Sequence, residues 1–265
     1  MVTKTAVITG ASSGIGAAIA RRFGAEGWNL ALAARRQKEL ELVAAQSGSH
    51  VLPIVADMTR RGDVERLLAE AVRTFVNIDV WINNAGRGVG KKVLDLTEPE
   101  FDEIVAVNLK SVFYGMQVAV PYFQLRGEGH LINISSFLGR VPLVTFRSVY
   151  NAAKAAVNVL TANLRMDLRL SHPRIRVSLV LPGTVKTDFG RNALGGTPPI
   201  PPGGRSPMVP QTPEEVAGMV WELVENPKAE LYTNPASPEM VRRYYQDVGA
   251  FEDEMFRGLS GRPSS

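Results

Sequence analysis

Short runs of apolar and β-branched residues alternate along this chain with longer stretches whose apolar positions recur every three or four residues. The continuous apolar runs at 5–9, 28–34, 51–56, 78–83, 130–135 and 175–181 predict strands covered on both faces. Stripes such as Ile15, Ala18, Ile19, Ala20 and Phe23, or Val64, Leu67, Leu68, Ala71 and Val72, predict helices. These span 14–26, 38–45, 63–75 and 148–170. Two more helices follow the fourth strand, the first capped by Thr97 with Glu98 and Glu100 in its opening turn. Alternation of this kind predicts an α/β fold, a doubly wound parallel sheet (Rossmann fold) of about seven strands with helices on both faces.

The pattern loosens after the sixth strand. Proline and glycine crowd the stretch 195–213 and predict a loop. Its length suits either a lid over a substrate, spanning 190–213, or an insertion without fixed structure. A helix near Pro213, a short seventh strand at 229–233 and one helix over 238–256 complete the pattern. The segment 234–265 reads as a helix packed on the parent sheet, or as a substrate cover or subunit contact.

Composition narrows the chemistry. The apolar fraction of 45% and charged fraction of 21% are ordinary for a globular chain. Cysteine is absent, which excludes a disulfide framework, thiolate catalysis and cysteine-bound metal. The net charge of +4 comes from 22 arginines and 8 lysines scattered in pairs, not gathered on one arm, so no nucleic-acid partner is expected. His50, His130 and His172 stand alone, so no metal is expected. Trp28, Trp81 and Trp221 are read as core anchors. No stretch reaches ~18 uninterrupted apolar residues, and the N-terminus lacks a leader pattern. The expectation is a cytoplasmic protein with no membrane partner.

The junction of the first strand and helix is Gly10-Ala11-Ser12-Ser13-Gly14-Ile15-Gly16. Glycines there permit a tight turn and close approach by a ligand. The following helix end offers free N–H groups and a positive dipole to a pyrophosphate. The second strand ends in Ala33-Ala34-Arg35-Arg36, without the carboxylate that would accept from a ribose 2′-hydroxyl. Arg35 can instead pair with a 2′-phosphate, so NADP(H) is favoured over NAD(H); Arg35 and Arg36 could also be a solvated pair. Asp57, with Met58 beside it, ends the third strand. It can accept from an adenine amino group, or it can cap the next turn.

Tyr150 and Lys154 lie four apart on one helix face. A tyrosine serves as an acid near neutral pH when an ammonium favours its phenolate. The fifth strand ends in Asn133-Ile134-Ser135-Ser136, where a serine can donate to a carbonyl oxygen. Taken with Asn83-Asn84-Ala85-Gly86, Val107-Asn108-Leu109 and Leu181-Pro182-Gly183-Thr184-Val185-Lys186-Thr187, in this order over residues 3–190, the sequence closely resembles the short-chain dehydrogenase/reductase family.

That resemblance implies roles. Tyr150 would be the acid in reduction and the base in oxidation. Lys154 would hold the nicotinamide ribose and lower the tyrosine pKa, Ser136 would polarise the carbonyl, and Asn108, in a perturbed helix, would hold a relay water. Gly10, Ser12, Ser13, Gly14, Ile15 and Gly16 would line the pyrophosphate and ribose. Asn84, Ala85 and Gly86 would support the adenosine side, while Pro182, Gly183, Val185 and Thr187 would lie near the nicotinamide. Two departures stand out. Thirteen residues separate Ser136 from Tyr150, about one more than is usual in the family, and the C-terminal segment diverges. Because cofactor and catalytic residues interleave, residues 1–265 read as a single domain.

The expected function is an oxidoreductase interconverting a carbonyl compound and an alcohol, in a homo-oligomer, on a small and fairly apolar substrate. Pocket walls are expected at 137–146, 87–92 and 189–210. The alternative is a catalytically silent nucleotide sensor or scaffold on the same fold.

Overall fold

The computed structural model describes residues 3–196 and 208–260. Seven strands form one sheet: β1 (Thr5–Thr9), β2 (Asn29–Ala34), β3 (Val51–Val55), β4 (Val80–Asn83), β5 (Gly129–Ile134), β6 (Ile175–Leu181) and β7 (Glu230–Tyr232). Their order is β3-β2-β1-β4-β5-β6-β7, and every neighbouring pair is parallel. Successive side chains of a strand enter opposite layers, which is why the strands read as unbroken apolar runs. Ile8, Leu30, Leu32 and Ile132 face one layer with Ile19 and Phe23 of α1 (Gly14–Ala25) and Val216 and Val220 of α7 (Pro213–Glu225). Val7, Trp81, Leu131 and Leu179 face the other. There they meet Leu67 of α3 (Arg61–Phe75), Phe123 of α5 (Ser111–Arg126) and Val157 of α6 (Ser148–Ser171). The sheet edge carries α2 (Gln37–Ala45), with Leu40 and Val43 buried. Trp28 and Trp221 stack edge-on with Phe23, and Trp81 is fully buried.

The chain progresses outward from β1 in both directions, so the crossovers diverge between β1 and β4. A crevice opens at that point, at the carboxyl ends of the strands, where open α/β sheets place ligands. The helix α4 (Glu98–Val105) begins at a Thr97–Glu100 capping box and runs through a π-helical turn, Ala106–Lys110, into α5. The continuous run Glu98–Arg126 is long and apolar enough to cross a bilayer by length and composition. In the fold its buried residues pack against β4, β5 and α3 instead.

Most elements fall within one or two residues of the sequence expectation, and two of the differences have a clear physical cause. The strand predicted from residue 78 starts at Val80, because the carboxylate of Asp79 accepts from the N–H of Thr5 (2.8 Å) and from Arg126, while the Ile78 carbonyl also accepts from Arg126. The single helix predicted over 238–256 is two, α8 (Ser237–Gln246) and α9 (Val248–Ser260). Asp247 between them is extended, and its Oδ1 accepts from the N–H of Ala250 at 3.0 Å. An aspartate that caps a new helix start competes with continuation of the old helix.

Candidate active site

A cleft of about 1800 Å³ runs along the carboxyl ends of the strands, larger than the roughly 300–1,000 Å³ of a single-ligand pocket. Its first wall is the turn after β1. Gly10 and Gly14 have φ of +66° and +55°, and a Cβ on Gly10 would lie 2.7 Å from Cα of Ala85. Ser13, at the N-cap of α1, makes no side-chain cap bond, so the helix end keeps N–H groups for a ligand. Gly10, Ser12, Ser13, Gly14 and Ile15 line the cleft. Gly16 is buried within the fold: a Cβ there would meet Asn84 Nδ2 and the Gly10 carbonyl, each at 2.5 Å. Its part is to let the loop close on Asn84.

Thr9 and Asn84 hold that loop to the neighbouring strand. Thr9 Oγ1 accepts from the N–H groups of Asn84 (2.9 Å) and Ala85 (3.1 Å), and Asn84 Nδ2 donates to the carbonyls of Thr9 (2.9 Å) and Gly10 (3.2 Å). At the end of β2 the two arginines divide. Arg36 donates to Ser12 Oγ (3.0 Å) and Ser13 Oγ (2.7 Å), bracing the turn, whereas Arg35 is exposed on the cleft wall. Asp57 and Met58 also line the cleft. Asp57 Oδ1 accepts from the N–H and hydroxyl of Thr59 (3.0 and 2.8 Å), so this carboxylate caps its turn. Free helix N–H groups, a backbone cradle without Cβ atoms and a long cleft fit a dinucleotide.

The catalytic side is built by β5, α6 and the loops above them. Ser136 Oγ accepts from the N–H of Leu138 (3.1 Å), and its hydroxyl favours the phenolate of Tyr150 across the cleft. Ser135 is engaged elsewhere, donating to Asn158 Oδ1 at 2.5 Å. Two short 3₁₀ turns, Phe137–Gly139 and Thr145–Arg147, take up the long connection between Ser136 and α6. Lys154 is buried, its Nζ 2.9 Å from the carbonyl oxygen of Ile134 and 5.8 Å from the Tyr150 ring centre. Burial lowers its pKa to about 8.

The electrostatics of Tyr150 differ from expectation. Burial raises its pKa above the ordinary value, and the groups opposing burial are the Ser136 hydroxyl and the charge of Arg147. Lys154 does not bring the phenol below its ordinary range here, because burial penalises the phenolate and the ammonium alike. Arg147, one turn before Tyr150, donates to the Val89 carbonyl at 2.9 Å and lies over the rings of Phe146 (5.4 Å) and Phe189 (5.8 Å). Phe189 in turn sets its ring edge-on to Tyr150 at 5.4 Å. Gly88 leaves room for Arg147, since a Cβ there would lie 2.6 Å from the guanidinium Nη1. Nothing in the spacing of the sequence singles out Arg147 except its place three residues before Tyr150.

Asn108 sits fully buried in the π-helical turn. Its Nδ2 donates to the carbonyls of Arg87 (2.8 Å) and Ile104 (3.0 Å), and its Oδ1 accepts from the N–H of Arg87 (3.2 Å). It thereby clamps the loop after β4, and Gly86 fits between it and Lys154: a Cβ there would lie 2.9 Å from Asn108 Oδ1 and 3.8 Å from Lys154 Nζ. Ala85, Gly86, Pro182, Gly183, Val185 and Thr187 line the same cleft. Pro182 accepts from Phe137, and Thr187 Oγ1 accepts from the N–H of Phe189. Of the lid expected over 190–213, residues 197–207 lie outside the described residues. Described residues Gly190 to Ala193 do reach the cleft. The helices α8 and α9 were expected chiefly to pack. They also contribute Tyr244, Phe251, Met255 and Phe256 to the cleft wall, for which the four-residue spacing of Phe251 and Met255 was the available signal.

His130, Glu100 and Glu103 have structural partners. His130 Nε2 lies 2.8 Å from Ser178 Oγ, with burial holding its pKa down at about 4. Glu103 pairs with Arg87, and Glu100 pairs with Lys91 at 2.6 Å.

Comparison with known proteins gives one family. The pattern of the short chain dehydrogenase family matches residues 4–195. An uncharacterized oxidoreductase of Staphylococcus epidermidis is 33% identical over 193 residues, covering 71% of this chain and 83% of its own. A short chain dehydrogenase/reductase from Burkholderia phymatum, solved in complex with NAD, superposes with a TM-score of 0.83 at 25% identity, covering 94% and 95% of the two chains. An alcohol dehydrogenase from Thermococcus sibiricus, solved with 5-hydroxy-NADP, gives a TM-score of 0.74 at 30% identity, with 89% and 97% covered.

Proposed function

Because this chain belongs to the short-chain dehydrogenase family, we propose that it is an NADP(H)-dependent oxidoreductase interconverting a ketone or aldehyde and the corresponding alcohol. The observation that carries this is the convergence of Ser136, Tyr150 and Lys154 on a cleft that also holds the glycine turn. In reduction the Tyr150 hydroxyl gives its proton to the carbonyl oxygen. Ser136 donates to the same oxygen, meeting the negative charge that develops there. In oxidation the phenolate takes the proton of the alcohol. Lys154, anchored on Ile134, would hold the ribose hydroxyls of the dinucleotide, and Asn108 keeps Gly86 and the loop after β4 against it.

The turn of Gly10 to Gly14 and the open end of α1 would hold the pyrophosphate of a nicotinamide dinucleotide, which supplies the hydride chemistry that side chains lack. Preference for NADP(H) is supported by exposed Arg35 and by the missing carboxylate at the end of β2. A homo-oligomer is supported by Phe101, Phe113, Val159 and Met166, which expose apolar surface on α4, α5 and α6.

The test is turnover of a panel of ketones, aldehydes and alcohols, followed by nicotinamide absorbance, with Tyr150→Phe alongside. The variant should lose on the order of 10²–10⁴ in rate. Full turnover by Tyr150→Phe would overturn the mechanism. Binding of NADPH without consumption across the panel would favour a silent scaffold.

A further inference from the structure

The helix pair α8–α9 lies outside the segment matched by the family pattern, which ends at residue 195, yet it is fastened onto the catalytic loop. Phe137 and Val141, next along the chain from Ser136, share a buried cluster with Met208 and Phe251, with Tyr244 and Met255 packed on it. Tyr245 donates its hydroxyl to the Arg140 carbonyl at 3.2 Å. The two helices are pinned to each other by the Arg243–Glu254 ion pair at 2.5 Å and by the edge-on contact of Tyr244 and Phe251 at 5.5 Å. Phe251 is buried as the anchor, whereas Met255 is half-buried and Phe256 is 60% exposed, both lining the cleft that holds Ser136 and Tyr150.

On the Ser136 and Tyr150 side the cleft is lined by the apolar side chains of Leu138, Leu143 and Phe189, with the Arg147 guanidinium over the Phe189 ring. Of the charged groups along the cleft, Arg87, Lys91 and Arg191 are in ion pairs with Glu103, Glu100 and Asp188, and Glu252 stands exposed on α9 beside Met255 and Phe256. An exposed phenylalanine and a half-covered methionine on one face of α9 are surface that an apolar ligand would cover.

We propose that α8 and α9 form the substrate-selecting wall, where Met255 and Phe256 receive the hydrocarbon body of a ketone or aldehyde whose carbonyl meets Ser136 and Tyr150. The substrate class is therefore a carbonyl compound with an extended apolar chain or ring. This rests on the carbonyl–alcohol chemistry proposed above and assigns it a substrate.

The experiment compares 2-decanone with 2-butanone as substrates of the full chain with NADPH, in the parent, Phe256→Asp, Met255→Asp and Phe256→Leu. The wall should give the parent a higher kcat/KM for the long ketone. Either aspartate should lower the long-to-short ratio by more than about tenfold, in line with the loss of a few buried methylenes, and Phe256→Leu should retain most of it. Phe256 is exposed, so its variants do not depend on a repacked core. An unchanged ratio in both aspartate variants would overturn the proposal. Should neither ketone be consumed, calorimetric binding of 2-decanone to the NADPH-loaded protein decides: binding that Phe256→Asp abolishes upholds the wall, and no binding by the parent overturns it. Full turnover by Tyr150→Phe would instead defeat the proton-transfer mechanism while leaving the ratio as evidence on the wall.

Discussion

The ammonium of Lys154 donates to the carbonyl oxygen of Ile134 at 2.9 Å from a buried position at the floor of the cleft. One polar partner does not offset the removal of that charge from water, and its pKa falls from 10.5 to about 8. Between those two values the unfolded chain binds the proton that the folded chain has lost, so this residue makes stability rise with pH across that window. Below about pH 8 the penalty is present in full. Lys154→Met should therefore unfold at higher denaturant at pH 7, by about 2 kcal/mol once the lost hydrogen bond is counted. The gain should shrink toward zero as pH approaches 10.5. Denaturant melts at several pH values check this; an equal shift at every pH would exclude the linkage.

Arg147 is the cation that opposes burial at Tyr150. Removing a positive charge disfavours the phenolate, so Arg147→Met should move the Tyr150 titration further upward. Arg147→Lys should restore part of the difference. Phenolate absorbance, read as the difference from the corresponding Tyr150→Phe protein, reports this residue without any substrate. An unmoved midpoint would show that the guanidinium only packs.

Arg35 and Arg36 stand side by side in the chain but serve different ends. Arg36 is tied to Ser12 and Ser13, and Arg35 is exposed at the cleft. Arg35→Asp should raise the KM for NADPH roughly 10- to 100-fold more than that for NADH, the size of a lost charge-assisted bond. Parallel kinetics with both dinucleotides check it, and equal effects would remove the 2′-phosphate assignment.

Gly16 tests the glycine turn itself. An alanine there would place Cβ 2.5 Å from the Gly10 carbonyl and from Asn84 Nδ2, and backbone cannot yield as a side-chain tip can. Gly16→Ala should cost about 1–3 kcal/mol of stability and also weaken dinucleotide binding, because the Asn84 clamp sets the loop. Thermal melts and cofactor titration together check it; weakened binding at unchanged stability would mean that Gly16 acts on the ligand alone.

Much of the molecule was legible in order along the chain. Strand β1 and the Thr97 cap follow from local pattern, since an apolar run and a capping box need no distant partner. The break at Asp247 was missed because Tyr244, Val248 and Phe251 keep a helical period across it, while the aspartate's choice of Ala250 depends on local geometry. Asp57 was legible only as two alternatives, and its bonds to Thr59 show it capping the turn.

Local pattern along the chain is enough for the alternation of strand and helix, for the glycine turn, and for placing Ser136, Tyr150 and Lys154 in an order that resembles short-chain dehydrogenases. These are local or periodic properties, carried by neighbours within a few positions. The folded arrangement alone sets which charge acts on Tyr150, brings Gly16 against Asn84, and makes α8 and α9 a wall of the cleft. Burial and Coulomb interactions depend on distance through space, and folding brings Phe251 and Met255 beside Phe137, more than a hundred residues away in the chain.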